Sequence, residues 1–388
     1  MPRYVQLGEI PRKRHTQFRK PDGSLYAEQV FGTKGFSGIA SILYHAHPPT
    51  QVADYAPLND LHPERLPDEP LRHHHLKTQH VLPSGDPITG RVPLLVNDDV
   101  LLGLCCPVKP MPYFYKNADG DDLLFVHEGQ GRLETMFGTL PYREGDYLVI
   151  PRGIIYRLVT ESETTRLLLI ESASAIEIPH RYRNEYGQLL EHAPYCERDL
   201  RVPQTLDYHD EAGRYEVRIK ARGRLTAYFY DFHPLDVVGW DGFLYPWALN
   251  IADFEPITGS IHQPPPTHQT FEAHNFVVCS FVPRLLDYHP DAVPIPYNHS
   301  NLDSDELLYY VNGNFASRRG IERGSMTLHP SGLPHGPQPG AVEASLGRTR
   351  TEELAVMVDT FRPLHLTRQA ALLDDSRYPG SWKKLEES

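Results

Sequence analysis

Apolar residues in this chain come in short runs, and Gly, Pro, Asn and Asp separate them. That is the pattern of short strands joined by tight turns, not of long helices. Two seven-residue segments show it best. Gly145-Asp146-Tyr147-Leu148-Val149-Ile150-Pro151 and Gly324-Ser325-Met326-Thr327-Leu328-His329-Pro330 each read as a turn, a strand of about five residues and a second turn. Residues 1–100 form a turn-rich, β-rich segment with runs such as Gly38–Tyr44. Stronger β patterning covers 101–175 and 226–362, and the charged stretch 176–225 reads as a connector. In the tail, 363–388, the spacing of Leu366, Ala370, Leu372 and Leu373 predicts one short amphipathic helix. The expected fold is mostly β, with two barrels, an N-terminal β-rich extension and few helices.

The two β blocks repeat each other. Glu306 is followed seven positions later by Gly313, and then by Gly324-x5-Pro330-x-Gly332-x2-His335. Asp122 is followed seven positions later by Gly129, and then by Gly145-x5-Pro151-x-Gly153-x2-Tyr156. The offset is 184 residues at the first half-motif and 179 at the second, so only the hairpin between them changed length.

Within this frame the second copy offers His299, Asn301, Glu306 and His335, where the first offers Tyr115, Asn117, Asp122 and Tyr156. Two imidazoles and a carboxylate on one face of a metal leave coordination sites open, the arrangement of non-haem Fe(II) oxygenases. Imidazole also suits Zn, Ni, Cu and Mn, so these residues do not fix the metal. His299, Glu306 and His335 are therefore the expected metal ligands, and the first copy is expected to lack a metal and serve packing. His329 alternates with the ligand-bearing strand and is expected to support the ligands. His73-His74-His75 lies in a charged stretch and reads as solvent-exposed. His45-x-His47 has no carboxylate at matching spacing.

Composition narrows the class. Thirty-six prolines and 28 glycines suit short strands and turns. A net charge of −12 argues against nucleic-acid or anionic-membrane partners. No apolar run reaches the roughly 18–20 residues that span a bilayer. Four cysteines in 388 residues are too few for a disulfide framework, which points to a reducing cytoplasm.

The spacings His-x-(His or Asn)-x4-Glu-x6-Gly and Gly-x5-Pro-x-Gly-x2-His are those of the cupin superfamily, so the chain resembles a bicupin. His233-Pro234-Leu235-Asp236-Val237-Val238-Gly239-Trp240-Asp241-Gly242 with Tyr245-Pro246, Pro334-His335-Gly336-Pro337, Leu25-Tyr26-Ala27-Glu28-Gln29 and Pro296-Tyr297-Asn298-His299 resemble the homogentisate 1,2-dioxygenase family. The resemblance runs from about residue 25 to about 362 and is densest from 228 onward.

The resemblance implies Fe(II) held by His299, Glu306 and His335, with O2 and a small aromatic substrate as partners. It also implies ring cleavage of homogentisate to maleylacetoacetate in tyrosine degradation, and homotrimers or hexamers. It places the catalytic histidine at His262, with His268 and His274 as rivals, and Tyr297 in the substrate pocket. His268 is a second candidate for substrate contact. The chain departs from the family at two points. The glutamate follows His299 by seven positions rather than six, which leaves Asp305 as the alternative carboxylate. Phe315 stands where the family has a tyrosine, which removes a hydroxyl near the substrate. A related hydroquinone such as gentisate, a metal cupin working as isomerase or hydrolase, and a ligand-binding bicupin are the alternative readings.

Overall fold

A computed structural model describes residues 3–67, 70–295, 297–313 and 320–383. The fold is mostly β: sheets of four, seven, eight and six strands and a two-stranded ribbon. The two α-helices among the described residues are short, Ala341–Ser345 and Arg368–Ala371. The second is the expected tail helix, reduced to about one turn. Leu366 belongs instead to the strand His365–Leu366, which pairs with Arg91–Val96, and Thr367 caps the helix by accepting from the Ala370 amide.

The sequence repeat is a structural repeat. Strand Asp121–Glu128 pairs with Asp146–Ile150, setting Asp122 opposite Ile150 and Phe125 opposite Tyr147. Strand Asp305–Asn312 pairs with Met326–His329, setting Glu306 opposite His329 and Tyr309 opposite Met326. These are the same partners displaced by the two offsets read from the sequence. On its other side Asp122 faces Glu171, and Glu306 faces Asp359. The motif glycines have the turn conformation that demanded them: φ is 85° and 83° at Gly145 and Gly324, and 86° and 79° at Gly153 and Gly332. Both central strands are buried on both faces, so they read as continuous apolar runs rather than alternating ones.

The rest of the chain ties the two units together. From the first hundred residues, His74–Leu76 pairs with Met326–His329 in one sheet and Arg91–Val96 with Val100–Cys105 in the other. Ala212–Ala221, in the stretch between the β blocks, runs parallel to Phe114–Asn117. One hydrophobic cluster passes through both units, with Phe125, Tyr147, Trp247, Phe271, Tyr309 and Met326 at its centre. The Tyr147 hydroxyl and Ser280 Oγ, 2.8 Å apart, link the two sides within it. Trp240 of the His233–Gly242 signature is fully buried and donates to the Phe137 carbonyl at 2.9 Å. That signature packs the small N-terminal sheet and does not reach the metal ligands. No described helix is long and apolar enough to cross a membrane, and the four cysteines are unpaired.

Candidate metal centre

Three local features bring the expected ligands together. Strand register fixes Glu306. His335 follows the Pro330–Gly332 turn that ends the neighbouring strand. His299 comes from a loop and is pinned by a reciprocal backbone pair: its N–H donates to the His335 carbonyl at 2.8 Å, and the His335 N–H returns the bond at 2.9 Å. The imidazole rings then lie 4.3 Å apart between centroids. One donor atom from each of His299, Glu306 and His335 lies within 4.8 Å of the other two.

The donor atoms suit a cation. The His335 side chain has 0% exposure, and its Nδ1–H donates to the Leu333 carbonyl at 3.1 Å. With the proton of a neutral ring on Nδ1, the lone pair is on Nε2. Nε2 is buried, has no hydrogen-bond partner among the described residues, and lies 3.3 Å from Glu306 Oε1. A buried lone pair beside a buried carboxylate is what a metal ion would satisfy. Burial alone would raise the pKa of Glu306. The three imidazoles packed around it, His299, His329 and His335, outweigh that and hold the carboxyl well below its usual range.

His329 Nδ1 is 2.8 Å from Glu306 Oε1, and its Nε2 is 3.1 Å from the Tyr378 hydroxyl, so it supports the carboxylate from behind. Asp305 faces the other way. Its two oxygens accept from the Ser331 and Leu364 amides, both at 2.8 Å. It is a strand tie and takes no part in the cluster.

His299 and Glu306 open onto a cavity of about 390 Å³ that His262, His268, Tyr297 and Asp359 also line. His262 Nε2 is 3.1 Å from the Tyr297 hydroxyl, and its Nδ1 is 3.4 Å from Asp287 Oδ2. His268 is buried against Phe281, and burial followed by the nearby Arg284 charge pushes its pKa down to about 3. It is a neutral wall of the cavity. His274 lies outside the lining, and Phe315 lies outside the described residues.

Sequence reasoning missed two carboxylates. Asp287 has no motif around it. Asp359 reaches the cavity only through its register opposite Glu306; burial and the Glu306 charge raise its pKa to about 8.

The triple histidine is a correction. His73, His74 and His75 are buried, not solvent-exposed. Pairing of His74–Leu76 with the His329 strand draws them in, and the His73 ring packs 5.3 Å from His329 and 5.9 Å from His335. His45 has a carboxylate partner that its local spacing could not show: its Nδ1 lies 2.8 Å from Asp236.

In the first copy the equivalent residues surround a protein cation. Arg91 Nη2 donates to Asp122 Oδ2 at 3.0 Å and to the Tyr156 hydroxyl at 2.9 Å, while the Arg91 guanidinium lies 5.4 Å from the Tyr115 ring centroid.

Residues 8–251 match the family described as homogentisate 1,2-dioxygenase N-terminal, and residues 254–388 match its C-terminal counterpart. A Saccharolobus solfataricus protein described as a putative dioxygenase is 46% identical over 382 residues, 98% of each chain. The homogentisate 1,2-dioxygenase of Bradyrhizobium diazoefficiens is 31% identical over 294 residues, 71% of this chain and 63% of that enzyme. Among solved structures, a cupin 2 conserved barrel domain protein from Leptotrichia buccalis aligns with TM-score 0.30 at 12% identity, over 80% of this chain and 98% of that one. Oxalate decarboxylase of Bacillus subtilis aligns with TM-score 0.36 at 10% identity, over 82% of this chain and 89% of that one. With both halves matched in order and nearly the whole length covered, the chain belongs to the homogentisate 1,2-dioxygenase family.

Proposed function

We propose that this protein is a ring-cleaving dioxygenase that adds both atoms of O2 to homogentisate or a closely related hydroquinone. The observation that carries the reading is the His–Glu–His cluster, half-buried at His299 and buried at Glu306 and His335, opening onto a cavity that His262 also lines. His299, Glu306 and His335 would hold Fe(II), which when bound supplies open sites where an electron-rich ring and O2 can be brought together.

The chain's own residues have three tasks. The first is to hold the ligands: the His299–His335 backbone pair and His329 behind Glu306 fix their orientation before substrate arrives. The second is to orient the ring, for which Tyr297 and the neutral His268 with Phe281 provide aromatic walls. The third is to move a proton. The Asp287 carboxylate, 3.4 Å from His262 Nδ1, favours a proton on that nitrogen, and His262 Nε2 then faces the cavity side, where the Tyr297 hydroxyl stands. There it can take the proton of a ring hydroxyl, making the ring more reducing, and return it later in the reaction. For homogentisate the open-chain product is maleylacetoacetate. By family resemblance the protein works as a trimer or hexamer.

The test is O2 consumption by protein loaded anaerobically with Fe(II), with homogentisate, gentisate and unsubstituted hydroquinone offered separately. Stoichiometric uptake with at least one is expected. No uptake with any of them overturns the proposal.

A further inference from the structure

We infer that Arg284 selects the substrate by pairing with an anionic arm, a carboxylate, carried on its aromatic ring. The inference deepens the function proposed above and rests on it. Arg284 lines the same cavity as His262, Tyr297, His299 and Glu306. Its guanidinium is half-buried, yet among the described residues no carboxylate lies within 4.0 Å of it. Its side-chain hydrogen bond goes from Nη1 to the adjacent Leu285 carbonyl at 3.2 Å, which leaves most of a five-donor fork unused.

The acidic groups that influence it electrostatically, Asp287 and Glu353, stay outside pairing distance, and Asp287 is engaged by His262. The other arginines on the cavity wall differ. Arg348 and Arg350 are exposed, and Arg350 is paired with Glu352. His268 beside Arg284 is held neutral.

A cation withdrawn from water without a counter-ion is costly, and an incoming anion removes that cost. The guanidinium fork matches a carboxylate in two parallel hydrogen bonds. Phe281 and His268, tilted against each other with ring centroids 4.6 Å apart, give the same wall an aromatic surface for the ring that carries the arm.

The experiment compares the Fe(II)-loaded protein with Arg284→Met and Arg284→Lys, kept anaerobic for binding. Calorimetry measures homogentisate, its neutral methyl ester, and 4-hydroxyphenylacetate, which lacks the second ring hydroxyl. Oxygen uptake is then followed with the acid and the ester. Arg284→Met should weaken both acids by about 10- to 100-fold, the scale of a charged hydrogen bond, and the ester by less than about threefold. Arg284→Lys should recover part of the loss. Equal loss for acid and ester, or no loss for either acid, overturns the inference. Arg284-dependent binding of the acids without any turnover leaves the inference standing and refutes ring cleavage. Turnover that Arg284→Met leaves unchanged does the reverse.

Discussion

Replacing Arg91 with methionine should destabilise the first barrel by about 3 kcal/mol at neutral pH, and by less at pH 5.5. In the native chain, the carboxylate of Asp122 has 1% exposure and meets Arg91 Nη2 at 3.0 Å, the Tyr156 hydroxyl at 2.8 Å and Asn117 Nδ2 at 3.0 Å. Methionine keeps much of the volume but removes the positive partner. The general cost of stranding a buried charge is about 3–5 kcal/mol; two neutral donors remain, so the low end applies. Burial raises the Asp122 pKa, but Arg91 outweighs it and the folded value lies below the usual one. That stabilisation is complete above the unfolded pKa of about 4 and is lost as pH falls through the folded value. Without Arg91, burial dominates and the folded value rises above the unfolded one. The penalty is then largest at neutral pH, and it shrinks as acid neutralises the carboxylate. Urea unfolding at pH 7.5 and pH 5.5 would measure it, followed through the buried Trp240 and Trp247. The Arg91→Met/Asp122→Leu variant should recover most of the loss, since removing both charges is often close to neutral. A penalty that is the same at both pH values, or a double variant no better than the single, would refute this reasoning.

Two further predictions concern the second barrel. His335→Ala should weaken metal binding at least about 100-fold, read as metal per chain after dialysis, while far-UV circular dichroism stays native; full metal retention would remove His335 from the ligand set. Asp287→Asn should lower kcat for the hydroquinone about 10- to 100-fold with little change in KM, because the amide no longer favours the His262 tautomer with a free Nε2; steady-state O2 uptake with unchanged kcat would show that Asp287 only supports the loop.

What the sequence disclosed and what it hid follow from how far each feature reaches along the chain. The strand–turn units were legible because Gly145, Gly153, Gly324 and Gly332 are each required by a local positive φ. The candidate cluster was legible because a duplicated frame set His299, Glu306 and His335 beside Tyr115, Asp122 and Tyr156. Non-local partners were not. Arg91 lies 31 residues before Asp122 and 65 before Tyr156, and nothing near it in the chain forecasts the pairing. Asp359 reaches the cavity only because its strand registers opposite Glu306. His73, His74 and His75 looked exposed because their sequence neighbours are charged, whereas pairing with a strand some 250 residues away buries them. The Trp240 signature marked the family correctly, yet its physical role is to pack the N-terminal sheet.

The extra residue between His299 and Glu306 shows why a departure from family spacing can leave a candidate metal site assembled. The two ligands are anchored independently. Glu306 is held by strand register, with His329 on one side and Asp359 on the other, and His299 by its backbone pair with His335. Residues 300–304 between them form no strand, so they can absorb an insertion without moving either donor. Exchanging Glu306 for Asp305 would be a different matter. A one-residue slip would turn the whole strand face over and strand the Ser331 and Leu364 amides that Asp305 now satisfies. The changed loop does touch the cavity: Asn301 lines it, and its carbonyl accepts from the Gly332 amide at 2.6 Å. The extra residue therefore falls in a segment of the cavity wall and leaves the candidate metal donors anchored as they are.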